Sequence, residues 1–67
     1  MALTTSLPVI NDTDMFGTSA AAAVLGIHRN TLTAHANEGL IRYSINRRTG
    51  YRRYSGRDIK RYWRTQA

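Results

Sequence analysis

The sequence contains no cysteine and a single proline in 67 residues. Without cysteine the chain has neither disulfides nor thiolate metal ligands, so its stability must come from apolar packing, caps and turns. A chain this short buries one small core and leaves little room for a catalytic cleft. The composition indicates one small domain in a reducing compartment, and we expect a cytoplasmic location.

Long apolar runs and a basic start are also missing. The first fourteen residues, MALTTSLPVINDTD, resemble no secretory signal, and no segment approaches the apolar length that a membrane span requires. We expect no membrane partner. These residues show no helical or strand period, which predicts a flexible leader over 1–14 and one folded domain over 15–67.

Acidic residues and lysine are scarce, and the charges are unevenly placed. Residues 1–27 carry two aspartates and no basic side chain, whereas residues 28–67 carry ten basic and two acidic side chains. The net charges are therefore −2 and +8, and nine of the ten basic residues are arginine. Arginine suits phosphates and guanine edges, so this imbalance favours a nucleic-acid partner over a merely solvated basic surface.

Two short helices are predicted around a glycine turn. In GTSAAAAVLGI, Thr18 or Ser19 can cap a helix from Ser19 to about Leu25, and Gly26 can end it in a left-handed conformation. The next segment, HRNTLTAHANEGL, predicts a second helix over about 29–38. This order is typical of a helix-turn-helix.

The second helix carries side chains that can read bases. Arg29, Asn30 and Thr33 share a face away from Leu32 and Ala36. Arginine and asparagine can form paired hydrogen bonds with guanine and adenine edges, although an ordinary polar helix face would look similar. We predict five DNA-contacting residues in this recognition helix: His28, Arg29, Asn30, Thr33 and Asn37.

After Gly39 the apolar residues recur at every second position. In LIRYSIN we expect Ile41, Tyr43 and Ile45 to form the buried side of a strand, and after the turn NRRTG the segment YRRYS returns as a second strand. A hairpin that projects arginine can grip phosphates or enter a minor groove. The predicted DNA contacts of this wing are Arg47, Arg48, Tyr51, Arg52 and Arg53.

A third helix is predicted at the end of the chain. Ser55 and Asp58 have capping-box spacing, and Tyr54 and Ile59 have the spacing of a hydrophobic staple. Ile59, Tyr62 and Trp63 form an apolar stripe that we interpret as core. The predicted fold is mainly α with a small β-hairpin wing, which is a winged helix-turn-helix.

Four segments in this order resemble the MerR superfamily of DNA-binding domains. AAAVLGIHRNTL is similar to that family's Ala-Ala-x-x-Leu-Gly-Val-Ser-Arg-x-Thr-Leu pattern, and EGLI and GYRRYS are similar to its turn and wing signatures, with Asp58 where the last helix carries an acid. The resemblance covers about residues 18–63. His28 stands where the pattern has serine, and Thr33-Ala34-His35 replaces Arg-Tyr-Tyr, so the base contacts must differ.

Small members of the superfamily include excisionases of phages and mobile elements. The resemblance implies a protein that acts on DNA in a prokaryotic cell, binds repeated sites cooperatively, bends DNA and directs an integrase toward excision. Its expected partners are double-stranded DNA, an integrase or recombinase, and neighbouring copies. No small-molecule effector is expected, because effector-responsive relatives continue into further domains beyond the point where this sequence ends.

Two alternatives remain open. BldC-like or AlpA-like transcriptional regulators share the resemblance. An RNA-binding basic module fits the charge, although its usual stacking aromatics are not evident because the tyrosines alternate as strand core or wing support. An enzyme is not expected, because His28 and His35 lack the additional ligands of a metal site and no acid–base pair is visible. We therefore expect no metal and no cofactor.

Overall fold

The computed structural model describes residues 6–66. It contains three helices and a three-stranded antiparallel sheet in the order β1-β3-β2. Along the chain the elements are β1 (Met15–Gly17), α1 (Thr18–Leu25), α2 (Arg29–Asn37), β2 (Ser44–Ile45), β3 (Arg52–Ser55) and α3 (Gly56–Gln66). This is a winged helix-turn-helix, as predicted, with the wing formed by residues 44–55.

Local sequence signals determine the turn between α1 and α2. Gly26 adopts φ 75°, and its amide donates to carbonyl oxygens of the last turn of α1. The Nδ1 atom of His28 accepts a hydrogen bond from the amide of Asn30 at 3.0 Å, so this histidine caps the start of α2. The predicted side-chain cap of α1 is wrong. Gly17 is the N-cap, because α1 follows a paired strand directly, and glycine has no side chain that could accept a capping hydrogen bond.

One apolar cluster holds the elements together. Its buried residues come from α1, α2, α3, β3 and the segment before β2, and they are Ala21, Ala22, Leu25, Leu32, Ala36, Ile41, Tyr54, Ile59 and Tyr62. Trp63 packs against this cluster and is partly buried, as the predicted stripe requires. The alanines of α1 let the backbone of α2 approach closely, since small side chains reduce the distance between packed helices.

The strands differ most from the prediction. β1 was not predicted, because three residues are too few to show a period, and it pairs with β3 through Phe16 opposite Tyr54. The strand predicted between Leu40 and Asn46 is only Ser44–Ile45. Of its expected buried side, only Ile41 is buried. Tyr43 and Ile45 are 39% and 49% exposed, because no element of the described chain covers the distal part of the wing.

The start of α3 follows the capping prediction. The hydroxyl of Ser55 accepts a hydrogen bond from the amide of Asp58 at 3.1 Å and donates to its carboxylate at 2.9 Å. Tyr54 and Ile59 on either side of the cap are fully buried. The cap and the staple residues together set the direction in which α3 leaves β3.

The segment 11–14 lies against the first turn of α3. The amide of Gly56 donates to the carbonyl oxygen of Asp14 at 2.8 Å, and the amide of Arg57 donates to that of Asp12 at 3.2 Å. A Cβ atom at Gly56 would lie 1.9 Å from the carbonyl oxygen of Asn11, so only glycine permits this approach. The boundary at residue 14 between leader and domain remains a prediction.

Candidate nucleic-acid interface

The recognition helix α2 presents one side to the core and the other to solvent. Leu32 and Ala36 are buried, whereas Arg29, Asn30 and Asn37 are exposed and Thr33 is half-buried. The predicted separation of faces is therefore present. Because the core side is held by apolar packing, the polar side has a defined orientation relative to the rest of the molecule.

A groove joins this polar side to the wing. Arg29, Asn30 and Thr33 line it from α2, and Tyr51 and Arg52 line it from the wing. Its third wall, which sequence reasoning missed, is the beginning of α1 with Gly17, Thr18, Ser19 and Ala20. Five of the ten predicted contact residues thus meet in one concavity, which carries two guanidinium groups and several hydrogen-bonding side chains.

The wing tip is a tight turn that projects two arginines. The amide of Gly50 donates to the carbonyl oxygen of Asn46 at 2.7 Å, and Gly50 has φ 76°, which favours glycine. The Asn46 side chain accepts from the amide of Arg48 at 3.0 Å. Arg47 and Arg48 are exposed, and the Tyr51 side chain is 75% exposed. The turn is therefore ordered by its own backbone, and its side chains are available to a ligand.

Arg52 is held by contacts within the protein. Its Nη2 atom donates to the side-chain oxygen of Asn37 at 2.7 Å, and its guanidinium lies over the ring of Tyr43 at 4.4 Å from the centroid. Its Nη1 atom is buried and has no hydrogen-bond partner within residues 6–66. The guanidinium is thus fixed between α2 and the wing. We call Asn37, Tyr43 and Arg52 the wing brace.

Arg53 points to the opposite face of the sheet. It lies opposite Gly17 on β1 and Ser44 on β2, while the neighbouring Arg52 lies opposite Ile45. Successive residues of a strand point to opposite faces, so Arg52 and Arg53 cannot address a ligand in the same way. The sequence pattern placed these two arginines in one group, and the structure separates them.

A polar contact ties α2 to α3. The Nδ1 atom of His35 and the hydroxyl of Tyr62 lie 2.5 Å apart, and their rings are 5.8 Å apart between centroids. Burial raises the pKa of Tyr62 above its usual value of 10.0. His35 is half-buried, and it helps to fix the recognition helix rather than to face solvent.

Within residues 6–66 no group of three or more histidine, cysteine, aspartate or glutamate side chains is arranged to hold a metal ion. The same part of the chain contains no helix that is long and apolar enough to cross a membrane.

Comparison with known proteins gives one match. The family model described as "Helix-turn-helix domain" matches residues 15–67, which is most of the chain. Neither the curated proteins nor the solved structures gave a match. Such domains bind double-stranded DNA and are typically not enzymes. With the two-helix unit, the exposed polar side of α2 and the projecting wing in place, the chain belongs to the helix-turn-helix domain family of DNA-binding proteins.

Proposed function

We propose that this protein binds double-stranded DNA sequence-specifically, with α2 in the major groove and the wing on the adjacent minor groove or backbone. The observation that carries the proposal is the groove in which Arg29, Asn30 and Thr33 face Tyr51 of the wing. With α2 contacting bases in one groove, the wing beside it would contact the neighbouring groove of the same duplex. The net charge of +8 in residues 28–67 supports this choice of ligand.

The proposed contacts fall into two groups. Arg29, Asn30 and Thr33 contact base edges, where arginine and asparagine can form paired hydrogen bonds. Residues of the other group contact phosphates or the minor groove, and they are His28, Arg47, Arg48, Tyr51 and Arg53. Asn37 and Arg52 already bind each other, so we assign them to orienting the wing against α2.

Two substitutions test this division. Asn30→Ala is expected to relax sequence preference, since a base-reading amide is lost. Arg48→Ala is expected to weaken binding to all sequences about equally and to flatten the slope of log affinity against log salt by about 0.9. The measurement is fluorescence anisotropy on specific and scrambled duplexes across a salt series.

Arg42→Ala is the matched control, because Arg42 is exposed and lies outside the wing tip. It removes one positive charge and is expected to leave the salt slope nearly unchanged. If Asn30→Ala left sequence preference intact while Arg48→Ala altered it, the assignment of the two groups would be wrong.

Within this function, we propose membership of the MerR superfamily and the role of an excisionase that binds repeated sites cooperatively, bends DNA and directs an integrase. The described part of the molecule extends only 34 × 24 × 17 Å, so one copy covers little DNA, and several copies side by side would supply the missing specificity. Gel shifts on duplexes with one, two and three sites test this. A single complex of one monomer at every site number would contradict cooperativity.

The second candidate role is that of a small transcriptional regulator, which the same fold serves. Recombination assays with and without the protein, alongside transcription from neighbouring promoters, separate the two roles. The RNA-binding alternative is tested by competition. Double-stranded RNA that displaced the protein from its best duplex as effectively as DNA would favour that alternative.

A further inference from the structure

A second basic surface lies on α3, outside the surface of α2 and the wing that we propose contacts DNA. We propose that Arg57, Arg61 and Arg64, which we call the α3 basic face, bind the phosphate backbone of a second segment of duplex DNA while α2 and the wing hold the first. The inference rests on the proposed function, because it assumes that the first duplex is bound through α2. It adds to that function a capacity to bring two DNA segments together.

The three arginines share the outer side of their helix. At about 100° per residue they lie about 140–200° around the axis from Ile59. Ile59 is fully buried, and all three arginines are exposed. Their positions at i, i+4 and i+7 form a row about 10 Å long, at about 1.5 Å per residue. The helix thus presents a straight line of guanidinium groups to solvent.

Nearby acids do not neutralise this row. Asp12 forms an ion pair with Lys60 at 2.6 Å, and the carboxylate of Asp58 accepts the hydroxyl of Ser55. Lys60, Arg57 and Arg64 all contribute to holding the pKa of Asp12 below its usual value. Within residues 6–66 none of the three arginines forms an ion pair. Counting Lys60, four cations face two aspartates, which leaves a net charge of about +2 on this surface.

The chemistry of the row favours phosphate over a protein partner. Arginine binds phosphate oxygens through two parallel hydrogen bonds, and a row of charges matches a regularly charged backbone. Protein interfaces are built around buried aromatic or aliphatic anchors. Among the described residues, the exposed large apolar side chains are Val9, Met15, Leu40, Tyr43, Ile45 and Tyr51, and none of them belongs to α3.

Each of the two basic surfaces lies on the solvent side of its own helix. On α2 the buried Leu32 and the exposed Asn30 lie on opposite sides of the helix, just as Ile59 and Arg61 do on α3. Both helices contribute to one core, so each exposed side points away from that core. Duplex DNA is stiff, with a persistence length of about 50 nm, so the proposal requires that a straight duplex seated on α2 leave the outer side of α3 free, and the assay below tests this requirement.

A two-duplex capture assay tests the inference. A biotinylated duplex carrying the best binding site is immobilised and loaded with protein, and the first readout is the amount of protein retained. A fluorescent second duplex is then added, and the second readout is its recruitment. For wild type we expect recruitment that weakens with salt at a log–log slope of about −2.7, or about 40-fold between 50 and 200 mM, from three neutralised phosphates.

The test variant is Arg57→Gln/Arg61→Gln/Arg64→Gln, and the charge-preserving control is Arg57→Lys/Arg61→Lys/Arg64→Lys. The glutamine variant is expected to be retained like wild type and to lose recruitment by at least about tenfold, while the lysine control keeps most of it. Thermal unfolding checks that both variants are folded, as the exposure of the three residues leads us to expect.

The outcomes separate the two proposals. Failure of wild type to be retained on the first duplex overturns the proposed function and the inference with it. Retention without recruitment overturns the inference alone. Equal recruitment by wild type and the glutamine variant would show that the α3 basic face does not bind the second duplex, and it would overturn the inference. An equal loss of retention and recruitment in the glutamine variant would show that this face belongs to the first binding site, and it would overturn the inference as well.

Discussion

The helix-turn-helix unit and the wing are held in place by different forces. α1 and α2 contribute five buried apolar residues, whereas residues 44–53 of the wing contribute none. The wing is attached by the sheet ladder, by Tyr54 at its base and by the wing brace. Apolar packing is non-directional and large in sum, while a brace of this kind depends on a few atoms with specific geometry.

This difference has a functional consequence. The recognition helix α2 is part of the core, which unfolds cooperatively, so its position is lost only when the domain unfolds. We expect the wing to change its angle to α2 more readily than the core unfolds, because residues 44–53 bury no apolar side chain in the core cluster. We therefore expect core substitutions to act on stability, and wing substitutions to act on DNA binding.

The largest expected effect is that of Leu32→Ala. Leu32 is fully buried, and its truncation is expected to cost about 2–5 kcal/mol of unfolding free energy. The total unfolding free energy of a 67-residue domain is only about 3–10 kcal/mol. Ile45→Ala in the wing is the matched control and is expected to change stability by about 0.5 kcal/mol or less. Urea unfolding measures both, and similar losses would contradict the distinction between core and wing.

A somewhat smaller loss is expected from Gly56→Ala at the junction of β3 and α3. The added Cβ would meet the carbonyl of Asn11, and displacing that segment would break the hydrogen bond from Gly56 to Asp14, so we expect a loss of about 1–3 kcal/mol. Gly17→Ser is the control, since nothing lies within 4 Å of a Cβ there and serine can cap α1. Thermal unfolding should show a destabilised first variant and a neutral or more stable second one.

The wing brace is expected to affect DNA binding more than stability. Arg52→Gln and Asn37→Ala should each lower affinity about threefold to tenfold, because the wing loses its fixed angle. In a double-mutant cycle we expect a coupling of about 0.5–1 kcal/mol between them. Anisotropy titrations measure the affinities. Additive losses, together with a salt slope flattened by about 0.9 in Arg52→Gln alone, would show that Arg52 contacts a phosphate directly instead.

The smallest effect concerns Asp12, whose pKa is lowered mainly by its hydrogen bond with Lys60. A lowered folded-state pKa contributes stability above the unfolded value near 3.8, and that contribution is lost as pH falls through the folded-state value. The melting temperature of wild type should therefore be slightly higher than that of Asp12→Asn at pH 5–7, and the difference should vanish toward pH 2. A difference that persisted at pH 2 would show that the ion pair is not its source. The exposed carboxylate keeps the effect small.

Sequence reasoning worked best where a signal acts over three or four residues. The Gly26 turn and the Ser55–Asp58 pair were predictable because donor and acceptor are neighbours in the chain. The extent of β2 and the existence of β1 were not, because a short strand depends on the partner with which it pairs. The proposed DNA contacts remain predictions for the experiments above.

The sequence by itself determined the helix–turn–helix order, the Gly26 and Ser55–Asp58 caps and the concentration of arginine after residue 27, since these follow from local hydrogen bonding, periodicity and composition. Only the tertiary structure decided which arginine faces which way. Register on β3 sends Arg52 toward α2 and Arg53 to the other face, and packing of Ile59 turns Arg61 outward. Side-chain direction depends on which distant elements cover each face, and that is settled by packing across the whole chain.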